Sequence, residues 1–255
     1  MFKLIKIKIL INKYNYLIFY QYHYSKKLME KNISIVQTEA VKQYDLGAKL
    51  TDKHYPSLEL VRLERLFLKT SGKKVLEYGF GSGVNTIHLL KCGYHVTGVD
   101  VSKYAKFKLN RKLKKSQKKN LKLDLIKPKA FRLPYKNDSF DHIVAMSVIS
   151  LLGSENSVKL LLKEFIRVLK PEGKLIIDIN DHQSEFSKNN FQIKKNIFLT
   201  KIVDKKIKTF CLKSVGEFKK LISKYFKVVD TGFSSHKIFK RKITEFIICA
   251  IKEKN

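Results

Sequence analysis

Acidic residues are scarce in this chain. Against 53 lysines and arginines stand 22 aspartates and glutamates, which gives a formal net charge of +31 over 255 residues. Cysteine is scarce too: Cys92, Cys211 and Cys249 are scattered, without the spacing of a zinc site or a disulfide framework. That pattern predicts reduced, packed thiols, no metal site and a reducing, cytoplasmic compartment. Long apolar runs are missing as well. Lys13 interrupts the longest of them, so no transmembrane segment is expected. Residues 1–27 carry no acid, yet they lack a small-residue cleavage site after an apolar core and the arginine and serine of a mitochondrial presequence. Residues 1–28 then read as an overextended start or a loosely attached element ahead of Met29.

The charge has two readings. One is an electrostatic footprint for nucleic acid or an acidic membrane. The other is codon usage, because the excess is nearly all lysine and accompanies abundant Ile, Asn and Tyr. Arginine, which grips phosphates through two parallel hydrogen bonds, is sparse. The second reading is favoured, and nucleic acid stays a possible but less favoured partner.

What the chain does have is concentrated in Lys73–Asp100. Val75, Leu76 and Tyr78 form a short apolar run, Gly79, Gly81 and Gly83 follow at alternate positions, and Val84–Cys92 has helical spacing. Gly93 is a stop, and His95–Val99 returns as a β-branched strand ending on Asp100. Strand, glycine turn, helix and strand make a parallel crossover, with the turn at the strands' carboxyl ends where open α/β sheets bind ligands. Glycines let the backbone approach a ligand closely, and the following helix points free N–H groups at it. Asp100 can accept from both hydroxyls of a ribose. The spacing Glu77-x-Gly79-x-Gly81-x-Gly83 is not the dinucleotide fingerprint. Its carboxylate, Glu77, suits a ligand carrying an ammonium better than one carrying a pyrophosphate.

Val75-Leu76-Glu77-Tyr78-Gly79-Phe80-Gly81-Ser82-Gly83 resembles the first motif of class I S-adenosylmethionine (SAM)-dependent methyltransferases. Leu133-Pro134-Tyr135, Asn137–Asp141 and Arg167–Leu175 follow in that family's order, and the resemblance covers about Tyr55 to Lys252. It implies an α/β, Rossmann-like fold with a seven-stranded, mostly parallel sheet, an antiparallel last strand pair and helices on both faces. It also implies SAM as cofactor. Glu77 and the Gly79 carbonyl would hold its amino group, with Tyr78 beside them, and Gly81 would admit the ligand close to the backbone. Asp100 would bind ribose with Val101 alongside, Ala130 would meet adenine, and Met146 and Ser147 would flank the methionine part. Family members often carry an acid where this chain has Lys129, and a histidine near Ser150 and Leu151 where it has none. No catalytic base can therefore be carried over. Tyr55-Pro56-Ser57-Leu58-Glu59-Leu60-Val61-Arg62 is similar to a segment common in methyltransferases of sugar and surface-glycan pathways, which implies a small-molecule or glycan acceptor. An RNA methyltransferase and a non-catalytic SAM-binding module are the alternatives. No Pro-Pro occurs, so the Asn/Asp-Pro-Pro-Tyr segment of base-nitrogen methylation is absent.

The remaining patterns divide the chain into an extension, 1–32, and one domain, 33–255. Within that domain, helices are expected over 33–70, with Ser57 capping Leu58–Lys69, and the sheet core over 73–180. A helix rich in lysine runs from Ser102 to about Lys119, and Leu121–Ile126 and Asp141–Met146 read as strands. Glu155–Lys170 is a helix stopped by Pro171, and Lys174–Ile179 is the fifth strand. Its end, Asn180-Asp181-His182, puts a histidine at the substrate edge, either a general base or a plain loop residue. A polar insertion over 183–210 suits a hairpin or lid. Ser214–Glu217 is a capping box, and a helix and strand pair fill 214–252.

Overall fold

The computed structural model describes residues 39–50, 53–69, 72–127, 131–188, 190–238 and 241–254. The chain divides into two units, Met1–Ala40 and Val41–Asn255. Only Glu39 and Ala40, both helical, are described in the first. The expected extension over 1–32 and the start of the helix at Ile33 lie outside the described residues. In the second unit, helical residues 41–50 (α1) precede α2 (Leu58–Leu63), whose first turn is capped by the Ser57 hydroxyl accepting from Leu60 N–H at 3.2 Å. The expected single helix to Lys69 changes register here. Glu64–Leu68 is a π-helical turn, closed by Lys69 in the left-handed region.

The sheet is built on the glycine crossover. β1 (Lys74–Tyr78) runs parallel to β2 (His95–Asp100), joined by α3 (Val84–Lys91). α4 (Lys103–Lys112) and the short α5 (Lys115–Lys118) lead to β3 (Leu121–Leu125), and β4 (Phe140–Ala145) returns on the other side of β1. The lysine-rich helix is therefore two pieces. Leu113 breaks it in an extended conformation and is buried there, so packing of its side chain overrides helix continuity. After α6 (Glu155–Val168), β5 spans Leu169–Asn180, starting ahead of Pro171 rather than after it. β6 (Phe191–Lys194), β7 (Ile197–Lys201) and β8 (Lys206–Phe210) form a separate three-stranded sheet, in the place where a hairpin or lid is expected. α7 (Val215–Ile222) precedes β9 (Lys227–Ile238) and β10 (Arg241–Ile251). The order is β3-β2-β1-β4-β5-β10-β9, with β10 antiparallel to both β5 and β9. This is the Rossmann-like sheet that the motifs predict.

Alternation along the central strands feeds two cores. Leu76, Tyr78, Ile143, Ala145, Leu175 and Ile177 pack on the side of α6 and α7. Val75, Val144 and Ile176 pack on the other side, with Leu60 of α2, Leu89 of α3 and Leu109 of α4. Strands buried on both faces are the expected state of a parallel sheet covered by helices. Among the described residues, no helix is long and apolar enough to cross a membrane.

Candidate active site

The glycine turn uses its three glycines for different purposes. All have positive φ: +81° at Gly79, +48° at Gly81 and +76° at Gly83. A Cβ on Gly79 would lie 2.6 Å from Val148 Cγ2, and one on Gly83 only 2.3 Å from Leu109 Cδ1. A Cβ on Gly81 would meet nothing within 4 Å. Gly79 and Gly83 thus let the turn pack against its neighbours, and Gly81 is the one that faces open space.

Two carboxylates are tied to the turn and the helix it opens. Glu77, 3% exposed on β1, accepts a hydrogen bond from the Thr86 hydroxyl of α3. Burial raises its pKa from 4.5 to about 7. Asp100 ends β2, and its Oδ2 accepts from Gly81 N–H at 2.8 Å and its Oδ1 from Ser102 N–H at 2.9 Å. Burial raises its pKa too, and those backbone donors, Val101 among them, oppose the rise. Each carboxylate oxygen has a second lone pair, so the amides fix Asp100 and still leave it able to accept from a ligand. The Tyr78 ring packs edge-on to Phe165 at 5.4 Å, and its hydroxyl pKa is raised by burial and then by the nearby Asp100. Met146 is buried among the second core.

α1 is tied to this edge. Tyr44 Oη donates to the Leu151 carbonyl at 3.0 Å, and its pKa is raised by burial and then by nearby Tyr78 and Asp100. Asp45 accepts from the Ser102 hydroxyl and from Tyr104 N–H. Between α1 and α4 lies a groove of about 420 Å³, lined by Asp45, Leu46, Lys49, Lys103, Tyr104 and Phe107. The adenine side expected at Ala130, and Lys129 next to it, lie outside the described residues.

At the other end of the edge the structure gathers two acids that no motif marked, Asp178 and Glu245, around Ser147 and Asn180. Ser147 follows β4 with a φ of 55° and donates its N–H to Asp178 Oδ1 at 2.7 Å. Its hydroxyl donates to Glu245 Oε1 at 3.4 Å, as does Asn180 Nδ2. Asp178 sits in β5 opposite Ile247 of β10, and Glu245 sits opposite Asn180, so both acids share one face of the sheet. Asp178 is 1% exposed, and its Oδ2 has no hydrogen-bond partner among the described residues. Burial pushes Asp178 well up, and repulsion from Glu245 adds to it; burial also raises Glu245, and repulsion from Glu59 of α2 adds to that. Burial of this kind favours the protonated form of both acids. Sequence alone could have found them through polar residues at buried strand positions, the informative kind of violation.

His182 is not in this group. Its Nε2 lies 2.9 Å from Asn196 Oδ1 and 3.1 Å from the Cys211 carbonyl, and its ring packs edge-on to Phe198. That ring pins the small sheet to the end of β5, which accounts for it as a loop residue.

Comparison with known proteins agrees with this geometry. Residues 76–177 match the family described as "Methyltransferase domain". A demethylmenaquinone methyltransferase of Tropheryma whipplei is 29% identical over 117 residues, 46% of this chain and 46% of that protein. The chain thus spans about half the length of the curated relatives it matches. Among solved structures, a SAM-dependent methyltransferase of Methanosarcina mazei superposes with a TM-score of 0.64 at 18% identity, covering 80% of this chain and 100% of that one. A Burkholderia thailandensis 1,6-didemethyltoxoflavin-N1-methyltransferase with bound S-adenosylhomocysteine gives 0.63 at 16% identity, covering 88% and 90%.

Proposed function

We propose that this chain moves a methyl group from SAM to an oxygen or nitrogen of a small acceptor, because residues 76–177 match the family described as "Methyltransferase domain" within a sheet of the class I type. The observation that carries the reading is the pair of carboxylates at the glycine turn, buried Glu77 and half-buried Asp100, the latter held by the N–H of Gly81, which faces open space. When bound, SAM supplies an already electrophilic methyl on its sulfonium. Glu77 would hold the ammonium, whose charge favours the ionised carboxylate, and Thr86 fixes its side chain. Asp100, held by two backbone amides, would accept from the ribose hydroxyls, and Gly81 leaves room for the chain to close on the ligand. The other half of the edge would hold the acceptor. There Asp178 and Glu245, whose pKa values burial raises, would donate a hydrogen bond to an acceptor heteroatom or take its proton as the methyl arrives. Aligning the two partners can lower the barrier by ~7–11 kcal/mol, so the chemistry does not need a histidine.

A sugar or surface-glycan precursor as acceptor is supported only by the Tyr55–Arg62 resemblance, and there Tyr55 is exposed. We place the protein in the cytoplasm on its three free cysteines. The test is the formation of S-adenosylhomocysteine, followed by mass spectrometry at physiological ionic strength with two pools, total RNA and nucleotide sugars with glycans. Turnover on the second pool supports a small acceptor. Turnover dependent on RNA overturns it. Because RNA binding by a merely cationic surface falls with a log–log salt slope of about −0.7 per phosphate on a single strand, it should fade at that ionic strength. Turnover on neither pool, with SAM still bound, leaves a binding module.

A further inference from the structure

α3 has a second end, and chemistry collects there too. His88 and Cys92 are four residues apart, so they lie one above the other on the face of α3 where the helix stops. Glu64 reaches the same point from the π-helical turn after α2. The donor atoms of Glu64, His88 and Cys92 all lie within 4.8 Å of one another. The glycine turn opens the N-terminal end of α3, so this cluster is separate from the candidate active site.

We propose that Glu64, His88 and Cys92 form a binding site for a single borderline-soft divalent transition-metal ion of the zinc class. The geometry is close to what such an ion needs. Zn–S and Zn–N bonds of about 2.3 and 2.0 Å at a tetrahedral angle place sulfur and nitrogen roughly 3.5 Å apart. Cys92 Sγ and His88 Nε2 are 3.7 Å apart. A shift of tenths of an ångström therefore turns the pair into two adjacent ligands. The third donor is held in advance. Glu64 is 9% exposed, and its Oε1 accepts from the buried Tyr94 hydroxyl at 2.9 Å. A hydrogen bond of this kind, from a side chain behind the ligand, is what orients metal-binding carboxylates.

The donor set selects the ion. A thiolate with an imidazole disfavours magnesium and calcium, which take oxygen ligands, and suits zinc, cobalt, nickel or copper. Three protein ligands leave a fourth position to water. His88 and Cys92 are half-buried, so an ion can reach them. The sequence hid the site because Glu64 lies in a different element from the His-x-x-x-Cys pair, and that pair alone is weak. In the absence of an ion the same three groups form a hydrogen-bonded cluster, and the experiment has to separate the two states.

Full-length protein, freed of metal with a chelator, would be titrated with Co²⁺ and back-titrated with Zn²⁺. The proposal expects saturation at one equivalent, a thiolate-to-cobalt charge-transfer band, its loss on adding zinc, and a higher melting temperature with zinc, since an ion that binds only the folded state stabilises it. Cys92→Ser should abolish the band and weaken zinc binding at least tenfold. Tyr94→Phe keeps the ring's volume in the core. It should retain the band but weaken affinity about 10- to 100-fold, the usual cost of losing a group that orients a ligand. Circular dichroism and melting of each variant without metal check that it folds. No saturation at one equivalent, a cobalt spectrum without the thiolate band, or undiminished zinc affinity in Cys92→Ser would overturn the site. Undiminished affinity in Tyr94→Phe would remove Tyr94 from it.

Discussion

The two halves of the sheet's carboxyl edge treat their acids in opposite ways. On the β1–β2 side, Asp100 collects backbone amides from Gly81 and Ser102, and Glu77 has the Thr86 hydroxyl. On the β5–β10 side, Asp178 has one amide from Ser147 and an Oδ2 without a partner among the described residues, with Glu245 beside it. The first half fixes its carboxylates with donors from within the β1–β2 crossover. The second draws its groups from α2, β5, β10 and the turn after β4. Under the proposed function, the first would meet the cofactor and the second the acceptor.

Substitutions can break this contrast, and the largest effect belongs to the turn itself. Gly83→Val combines a φ of +76° with a clash on Leu109, so it should destabilise the fold by roughly 2–5 kcal/mol in denaturant unfolding. Gly81→Ala, with nothing within 4 Å, should lower stability by no more than about 1–2 kcal/mol from its φ of +48° while losing most SAM affinity. Equal destabilisation by the two would mean that both glycines serve packing alone.

Next in size, Asp100→Ala removes charge-assisted hydrogen bonds worth ~1.5–3 kcal/mol, and calorimetry should show SAM binding weakened ~10- to 100-fold. On the other half, Asp178→Asn should leave SAM affinity unchanged and lower turnover about tenfold or more, within the range of general acid–base contributions. If SAM affinity fell as far there as in Asp100→Ala, the division of the edge would be wrong.

The smallest effects are in pH dependence. Glu77 titrates near 4.5 when unfolded and at about 7 when folded, so the unfolded chain ionises first as pH rises. Stability from this group is present below pH 4.5 and is lost as pH rises through 7. Asp178 and Glu245, also raised, act in the same direction from the ordinary carboxylate range upward. Glu77→Gln should flatten the stability profile between pH 4.5 and 7, followed by thermal unfolding, and remove the tightening of SAM binding over that range. An unchanged profile would mean that Glu77 is ionised in the free protein.

How much of this was legible in the sequence follows the same division. Glu77, the glycines and Asp100 lie within 28 residues of chain, Lys73–Asp100, so spacing alone revealed their shared edge. The seven-stranded sheet with its antiparallel last pair came from the family resemblance, and its strand order only from the structure. Asp178 and Glu245 looked like ordinary strand residues, because only the β5–β10 register places them side by side. β9 and β10 are far longer than the short apolar runs at Val228–Val229 and Phe246–Ile251. β9 is an edge strand, and its exposed residues, among them Thr231, Ser235 and Lys237, give no apolar run to read. The small β6–β8 sheet was hidden by lysines at its exposed positions, Lys194, Lys206 and Lys208.

The central claim is that the space at Gly81, with Glu77 and Asp100 at the same turn, takes SAM and not a dinucleotide. Titrating the full-length protein with SAM in a calorimeter, and separately with NADH, tests it directly. The account predicts saturation by SAM at one equivalent and no heat of binding from NADH. Binding of NADH with none of SAM would contradict it.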